Sequence, residues 1–199
     1  AGRSQIRAGN LKMKASPAQK KFLIDEFLPV YDFVEKHEAR IRASAEKVYA
    51  AVNSTDLTDS WIIWTWLSLR GLGRRRAAKT LTLRGLTREG FTILGEKPNE
   101  EILLGLAGKF WKPTGCLQDV SAANFREFEE KGFAKAAWNF ALDESGNGEI
   151  RLTTEKRVRC LDDDSRASFR FYWNFIKPFS GWIRLEMLRL AKQKAEAAA

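Results

Sequence analysis

The chain has 199 residues, a length that is usual for a single domain. With 44% hydrophobic and 30% charged residues, its composition is typical of a folded globular protein and excludes a disordered one. One histidine and two cysteines outside any metal-binding spacing argue against a zinc site. We expect neither a metal nor a cofactor.

The net charge of +9 is concentrated in two segments. Residues 1–21 hold six basic residues and residues 67–88 hold seven, with no acidic residue in either segment. The rest of the chain is therefore net acidic, which weakens a general nucleic-acid-binding hypothesis. Residues 1–21 also lack hydrophobic periodicity, and we predict a flexible basic tail there, followed by one ligand-binding domain over residues 22–199.

The absence of membrane and secretion signals bears on where the protein is located, and the absence of a neighbouring histidine bears on the reactivity of its cysteines. No apolar run reaches the ~18–20 residues that a membrane span needs, and the N-terminus has no apolar secretory-signal core. The two cysteines, Cys116 and Cys160, are expected to be free thiols in a reducing compartment, which favours a cytoplasmic protein. Neither has a histidine close in sequence, so we do not expect a thiol nucleophile.

The first predicted elements are a strand and two short helices. Residues 32–42 alternate with period two, which predicts a strand. Its inward-facing residues are Phe33, Glu35, His37, Ala39 and Ile41. Ser44 suits the N-cap of a helix over residues 45–52, and a second helix is predicted from Leu57 through the apolar run at residues 61–69.

Six more strands and a long helix complete the predicted order. The strands are predicted at residues 79–86, 90–95, 100–111, 134–142, 149–160 and 167–176. Residues 97–99 read Lys-Pro-Asn, which favours a hairpin turn, and residues 162–164 are expected to be a solvated turn. The alternate charged residues from Glu149 to Arg159 are expected to face water. A helix is predicted from Pro178 to residue 197, long enough at about 30 Å to cross a small sheet.

In addition to the order of the predicted elements, several segments of the sequence resemble those of a known superfamily. They are RIRASAEKVYAAV at residues 40–52, GLAGKFWKP at 105–113, KAAWNF at 135–140 and YWNFIKPFSGWIRLEMLRLAKQKAE at 172–196. Together they resemble the START-like (SRPBCC, helix-grip, polyketide cyclase/dehydrase and lipid transport) superfamily, in particular a bacterial subgroup of it. The resemblance implies an α+β fold in which a curved antiparallel sheet of about six or seven strands surrounds a long C-terminal helix. Two short helices follow strand 1.

The resemblance also implies an apolar cavity between the sheet and the long helix. Members of the superfamily bind lipids, sterols, plant hormones or polyketides, and a minority catalyse cyclisation or dehydration. The superfamily has no universal catalytic residues, so none can be transferred to this chain.

The inward-facing residues predict a small-molecule pocket, although the same side chains could instead fill a closed core. The candidate ligand-binding residues are Phe33, His37, Trp138, Phe140, Leu152, Thr154, Phe169, Phe171, Trp173, Phe179, Ile183 and Met187. Polar side chains on this face need a partner or a ligand. Lys156 is expected to extend to the rim. Glu35 and His37 are the only candidate catalytic pair, and strand geometry separates them by about 7 Å.

Three functions are compatible with these features. The favoured one is binding or transport of a hydrophobic small molecule without turnover, in which Arg74–Arg76 would give a peripheral membrane contact. The second is a cyclase or dehydratase that uses Glu35 and His37 for acid–base chemistry. The third is an adaptor that binds nucleic acid or protein through the basic segments, although no specific nucleic-acid motif is present.

Overall fold

The computed structural model describes residues 20–56, 82–145 and 148–198 of the chain. These residues form a five-stranded sheet, three α-helices and one 3₁₀ helix. In chain order the elements are α1 (Leu23–Phe27), β1 (Phe33–Ile41), α2 (Ala45–Ser54), the 3₁₀ helix (Arg84–Glu89), β2 (Thr92–Lys97), β3 (Glu101–Gly108), β4 (Ala134–Glu144), β5 (Ile150–Cys160) and α3 (Asp163–Ala197).

The sheet is antiparallel throughout and its strand order is β1-β5-β4-β3-β2. The first strand therefore pairs with the last, from Phe33 opposite Val158 to Ile41 opposite Ile150. The long helix α3 follows β5 directly and packs against β1, β5 and α2. This arrangement confirms the predicted α+β, helix-grip class.

Local signals in the sequence account for several elements. The period-two pattern of residues 32–42 forms β1, as predicted. The Ser44 side chain accepts a hydrogen bond from the backbone N–H of Lys47 and so caps α2, which was also predicted. The hairpin turn between β2 and β3 is confirmed, because the Glu100 N–H donates to the Lys97 carbonyl at 3.0 Å. Asn99 supplies the positive φ of 62° in that turn.

The strand predicted at residues 167–176 is wrong, and so is the solvated turn before it. Asp162 is the N-cap of α3, where its side chain accepts from the Ser165 N–H at 2.7 Å. Phe169 and Trp173 lie four residues apart on the buried side of α3, whereas Phe171 is 70% exposed. The described residues therefore form five strands instead of six or seven.

One further predicted strand is wrong, and several other predictions lie outside the described residues. Residues 84–89 form the 3₁₀ helix, so the strand predicted at 79–86 is wrong in the part that the structure describes. The described residues do not include most of the predicted tail, the helix predicted from Leu57, or the basic residues Arg74–Arg76. None of the described helices has the length and hydropathy needed to cross a membrane.

The face of the sheet away from α3 is covered instead of facing water. Helix α1 and residues 120–128 bury a second core there, which includes Ile24, Leu28, Leu103, Phe125 and Ala137. Arg157, expected on a solvated face, is buried because it donates to Asp25 at 2.7 Å and to the Leu28 carbonyl at 3.2 Å. Glu155, its neighbour on this face, is buried beside it and accepts from Arg157 at 2.6 Å.

Helix α3 has 35 residues, so it extends about 52 Å. It is anchored to the sheet on both sides of its centre. Phe169 and Trp173 are buried in the first half, and buried residues resume at Gly181. Pro178 lies in the exposed stretch between these anchors.

Candidate functional site

Two rows of side chains cross the face of the sheet that meets α3. The strand register places Glu35, Lys156, Trp138 and Leu104 in one row. It places His37, Thr154, Phe140 and Ile102 in the next row. The polar members of both rows belong to β1 and β5, and the aromatic and aliphatic members belong to β4 and β3. The face is therefore divided into a polar half and an apolar half.

The Glu35 carboxylate is the centre of the polar half. Its Oε1 lies 3.2 Å from Nε2 of His37, and its Oε2 accepts from the Ser180 hydroxyl at 2.8 Å. Nε of Arg184 lies 3.4 Å from the same Oε2. The Glu35 side chain is only 7% exposed, so these contacts are largely shielded from water.

Electrostatics keep Glu35 ionised despite its burial. Burial on its own would raise the pKa of the Glu35 carboxyl. The hydrogen bond from Ser180, the charge of Arg184 and the contact with His37 together outweigh burial and hold the pKa below its ordinary value. At neutral pH Glu35 is therefore a carboxylate that accepts hydrogen bonds and cannot act as a general acid.

Arg184 is a buried cation with open donors. The residue is 5% exposed, and its guanidinium lies 4.7 Å from the ring centre of Trp138. Burial lowers the pKa of Arg184 to about 10, against the attraction of Glu35, so the group stays protonated at neutral pH. Nε and Nη1 have no hydrogen-bond partner among the described residues. The contact of Nε with Glu35 is thus an ion pair without hydrogen-bond alignment.

Gly181 allows α3 to approach this polar group closely. A Cβ atom at Gly181 would lie 2.8 Å from Oε1 of Glu35 and 3.4 Å from Nε2 of His37. A side chain there would have to displace one of the two partners. The glycine therefore lets the helix backbone pass directly over the Glu35–His37 contact.

The apolar half is continuous with the main core. Trp138 is oriented by a hydrogen bond from its Nε1 to Oγ1 of Thr154, at 2.7 Å. The same cluster includes Ile102, Leu104, Phe140, Leu152, Met187 and the half-buried Ile183. Lys156 is half-buried and its Nζ lies 5.0 Å from the ring centre of Trp173.

The predicted ligand-binding residues fall into three groups. Seven surround the region just described: His37, Trp138, Phe140, Leu152, Thr154, Ile183 and Met187. Phe33, Phe169 and Trp173 form a separate aromatic cluster near the start of α3, where the Phe33 and Phe169 rings are 4.8 Å apart. Phe171 and Phe179 are exposed at 70% and 47%, so the expectation that they face inward is wrong. Phe171 is exposed because residues 169 and 171 lie on different sides of a helix.

Ser180, Gly181 and Arg184 were missed by sequence reasoning. The signal for Gly181 and Arg184 is helical spacing: residues 181, 184, 187, 188 and 191 share one face of α3, and all five are buried. An arginine within that pattern is assigned to the surface when charge alone is considered. Its position between small and apolar residues was the available clue.

The described residues include no group of three or more histidine, cysteine or acidic side chains that could hold a metal ion. No protein-family model matches the chain, and no curated protein matches it. Similar solved structures include TTHA0849 from Thermus thermophilus, which is 10% identical, with 83% of this chain and 99% of that one covered and a TM-score of 0.35. CalU16 from Micromonospora echinospora is 14% identical, with 82% and 84% covered and a TM-score of 0.27. Because both TM-scores are below 0.5, these similarities carry no argument about this chain.

Proposed function

We propose that the chain binds or transports a hydrophobic, lipid-like or polyketide-like small molecule between the sheet and α3, as a member of the START-like superfamily. The observation that carries this proposal is the division of one sheet face into an apolar half and a small buried polar group. Small-molecule sites combine a mainly apolar lining with a few oriented polar groups.

The free-energy cost of burying the polar group supports the same proposal. Burying Glu35 and Arg184 requires both charges to leave water, and apolar residues at such positions are often at least as stabilising. Packing of the interior alone does not require this pair. A role in orienting a ligand gives the pair a purpose.

The first experiment asks whether a ligand is present. Protein purified without added ligand is measured by native mass spectrometry, and an organic-solvent extract of it is analysed for lipids and polyketides. We expect a bound hydrophobic molecule, or uptake of one from a mixture of lipid classes. Absence of binding to every class would contradict the proposal.

A matched pair of variants locates the site. Ile183→Trp adds bulk on the side of α3 that faces the sheet, whereas Leu185→Trp adds it at a position that is 50% exposed. We expect Ile183→Trp to reduce ligand occupancy at least tenfold and Leu185→Trp to leave it unchanged. Equal effects of the two substitutions would place the ligand elsewhere.

A second candidate function, a cyclase or dehydratase, is favoured by the 3.2 Å contact between Glu35 and His37. In this function the Glu35 carboxylate would hold the imidazole at Nε2, and His37 would move the proton. The test is incubation of the protein with its bound ligand class and a search for loss of water or ring closure. Turnover that His37→Asn abolishes without loss of ligand binding would support the enzyme, and unchanged ligand in the wild type would contradict it.

A peripheral membrane contact extends the binding proposal. Helix α3 exposes large apolar residues on one side, including Phe171, Phe175 and Trp182, and the chain as a whole is basic. We expect sedimentation with vesicles that contain anionic lipid, and weaker sedimentation for a Phe171→Ser, Phe175→Ser double variant. Equal sedimentation of variant and wild type would exclude this surface.

A further inference from the structure

The exposed side of α3 carries apolar residues at the spacing of a coiled coil. They recur in alternate steps of four and three residues, at Phe171, Phe175, Pro178, Trp182 and Leu185, and all five are exposed. We call these five residues the outer seam. Their average period of 3.5 residues keeps them on one stripe that can meet a second helix along its length. Contact with water alone does not require this repeat.

Charged residues continue the same spacing at both ends of the outer seam. Steps of three and four residues lead back from Phe171 to Asp164, and a step of four leads forward from Leu185 to Arg189. Asp164 and Arg189 are both exposed, and their charges are opposite. A partner helix that complements the outer seam must therefore present a base near Asp164 and an acid near Arg189.

The wider charge distribution of α3 has the same polarity. Residues 162–168 include three acidic residues and one basic residue, whereas residues 185–196 include three basic residues and two acidic residues. Arg189 donates to Glu186 at 2.6 and 2.7 Å and to Gln193 at 3.0 Å. These bonds use three of its five N–H donors, so two remain, among the described residues, for a second carboxylate. An antiparallel copy of α3 would supply that carboxylate.

One antiparallel register brings the outer seams of two copies together. A two-fold axis between residues 176 and 177 places Phe171 of one copy opposite Trp182 of the other, and Phe175 opposite Pro178. Because the axis is two-fold, each of these layers occurs twice. The contact is therefore closed with two copies and leaves neither outer seam open to a third.

The same register pairs the charged ends. It places Asp164 of each copy opposite Arg189 of the other, whereas a parallel pair would place each residue opposite its own copy. A shift by one heptad would place Asp164 opposite Glu196, so that like charges meet. Exposed ion pairs contribute at most about 1 kcal/mol each. The charges therefore select the direction and the register, and the apolar layers supply most of the affinity.

The apolar surface is large enough for a specific contact. The exposed fractions of Phe171, Phe175, Trp182 and Leu185 are 70%, 62%, 52% and 50%, which corresponds to roughly 450 Å² of side-chain surface per copy. A two-fold pair would remove roughly 900 Å² from water before its polar rim is counted, close to the ~1,000 Å² that a specific interface needs. An interface at this lower limit predicts a dissociation constant in the micromolar range.

We propose that α3 forms a homodimer interface, in which it pairs antiparallel with α3 of a second copy through the outer seam. This dimer does not depend on the ligand proposed above. It uses the same residues as the proposed membrane contact, so the dimer must dissociate before the outer seam can meet a lipid surface. Self-association therefore competes with membrane binding, which is strongest where the protein is dilute.

The test is sedimentation-velocity ultracentrifugation without lipid, over protein concentrations from about 1 to about 200 µM, which bracket the micromolar range of a small interface. We expect a monomer that converts to a dimer as the concentration rises. Phe171→Ser should raise the dissociation constant at least tenfold. Val30→Ser is the matched control, because Val30 is 66% exposed and lies outside α3, and it should leave the constant unchanged. Circular dichroism verifies that both variants are folded.

Two outcomes would overturn the dimer. One is a protein that stays monomeric at every concentration, and sedimentation of that monomer with anionic vesicles would assign the outer seam to the membrane instead. The other is a dimer that Phe171→Ser and Val30→Ser weaken equally, which would place the interface elsewhere. Loss of the dimer leaves the ligand-binding proposal intact, since that site lies on the opposite side of α3.

A thiol cross-linking experiment tests the direction of the pair, in a Cys116→Ser background. Ser168 and Leu185 lie opposite each other in the antiparallel register, so a mixture of Ser168→Cys and Leu185→Cys proteins should give a cross-linked dimer with a short bismaleimide. Ser168→Cys alone should not, because its two copies would lie ~25 Å apart along the helices. Efficient cross-linking of Ser168→Cys alone would indicate a parallel pair and overturn the proposed register.

Discussion

Oε1 of Glu35 lies 3.2 Å from Nε2 of His37, although strand geometry places their Cα atoms about 7 Å apart. The two side chains therefore incline toward each other along β1. The absence of a side chain at Gly181 leaves them room to do so, since a Cβ there would meet both. One contact between alternate residues of a strand thus depends on a glycine in a distant helix.

Glu35→Gln should destabilise the protein by about 3 kcal/mol at pH 7, because it leaves the buried charge of Arg184 without its counter-charge. The measurement is the free energy of unfolding from urea titration. Val34→Ala is the matched control on the exposed side of β1, and we expect it to change stability by less than about 0.5 kcal/mol. A loss under about 1 kcal/mol for Glu35→Gln would mean that the pair contributes little.

The stabilisation that Glu35 provides, measured against Glu35→Gln, should depend on pH. The folded-state pKa of Glu35 is below its ordinary value of 4.5, so its stabilising contribution is complete above pH 4.5 and is lost as the pH falls through the folded-state pKa. The difference in unfolding free energy between the wild type and Glu35→Gln should therefore shrink as the pH falls below 4.5. A difference that stays constant down to pH 3 would contradict the lowered pKa.

Glu101 should show the opposite pH dependence. It is buried beneath α1, where it accepts from the Leu23 N–H at 2.6 Å and from Asn139 at 2.7 Å. Burial raises its pKa above 4.5, although these donors and the Ile24 N–H act to lower it. The folded state therefore holds its proton more tightly, and this contribution to stability is complete below pH 4.5 and declines as the pH rises through the folded-state pKa.

Glu101→Gln tests this sign and the anchoring of α1 together. One acceptor oxygen becomes an NH₂ group facing a donor, so we expect a loss of about 2 kcal/mol at pH 7. The wild type should gain stability relative to the variant as the pH is lowered toward 4.5. Native-state hydrogen exchange should show faster exchange of the Leu23 amide in the variant than in the wild type.

Gly181→Ala should fail to stabilise α3. In a helix interior this change normally gains about 1 kcal/mol, but here the new Cβ would lie 2.8 Å from Oε1 of Glu35. Because that carboxylate is held by Ser180 and Arg184, we expect a net loss of about 1 kcal/mol in chemical denaturation. Asn174→Ala, at an exposed position of the same helix, should gain about 0.5 kcal/mol. A gain in stability for Gly181→Ala would show that the side chains of the polar group move aside at little cost.

Phe169→Ala and Phe171→Ala distinguish a helix from a strand at residues 167–176. Phe169 is 1% exposed and Phe171 is 70% exposed, so truncation should cost about 4 kcal/mol at the first position and under about 0.5 kcal/mol at the second. In a strand the two residues would share a face and their costs would be similar. Thermal or urea unfolding of the two variants measures this difference.

Cys160 should not react with thiol reagents in the folded protein. Burial, reinforced by the nearby charge of Asp32, raises the pKa of its thiol to about 12. Titration with a chromogenic disulfide reagent should modify Cys116 first and reach Cys160 only in denaturant. Rapid reaction of both thiols without denaturant would contradict this burial, and Cys116→Ser identifies the reacting residue.

The sequence was most informative where each strand has one consistent buried side. The alternation in residues 32–42 predicted β1 and its inward residues, because only one periodicity fits that segment. Residues 169–175 satisfy two periodicities at once, since aromatic residues recur at every second and every fourth position. The exposed Phe171 and Phe175 produced the false strand signal, and composition alone cannot show that they are exposed.

The polar residues of the interior were harder to predict. A charged residue is assigned to the surface from its type, and Arg157 and Arg184 are buried because of partners far away in the sequence. Arg157 meets Asp25 of α1, and Arg184 meets Glu35 of β1. Such long-range pairs are created by the tertiary fold, so periodicity within one segment does not reveal them.

Proline at position 178 determines where α3 can bend. A proline has no N–H to donate to the carbonyl of Asn174, so bending of the helix at that point breaks no backbone hydrogen bond between these two residues. This point lies between the aromatic anchor at Phe169 and Trp173 and the buried residues that resume at Gly181. The proline therefore makes residue 178 the point at which α3 bends most easily, between its two anchored halves.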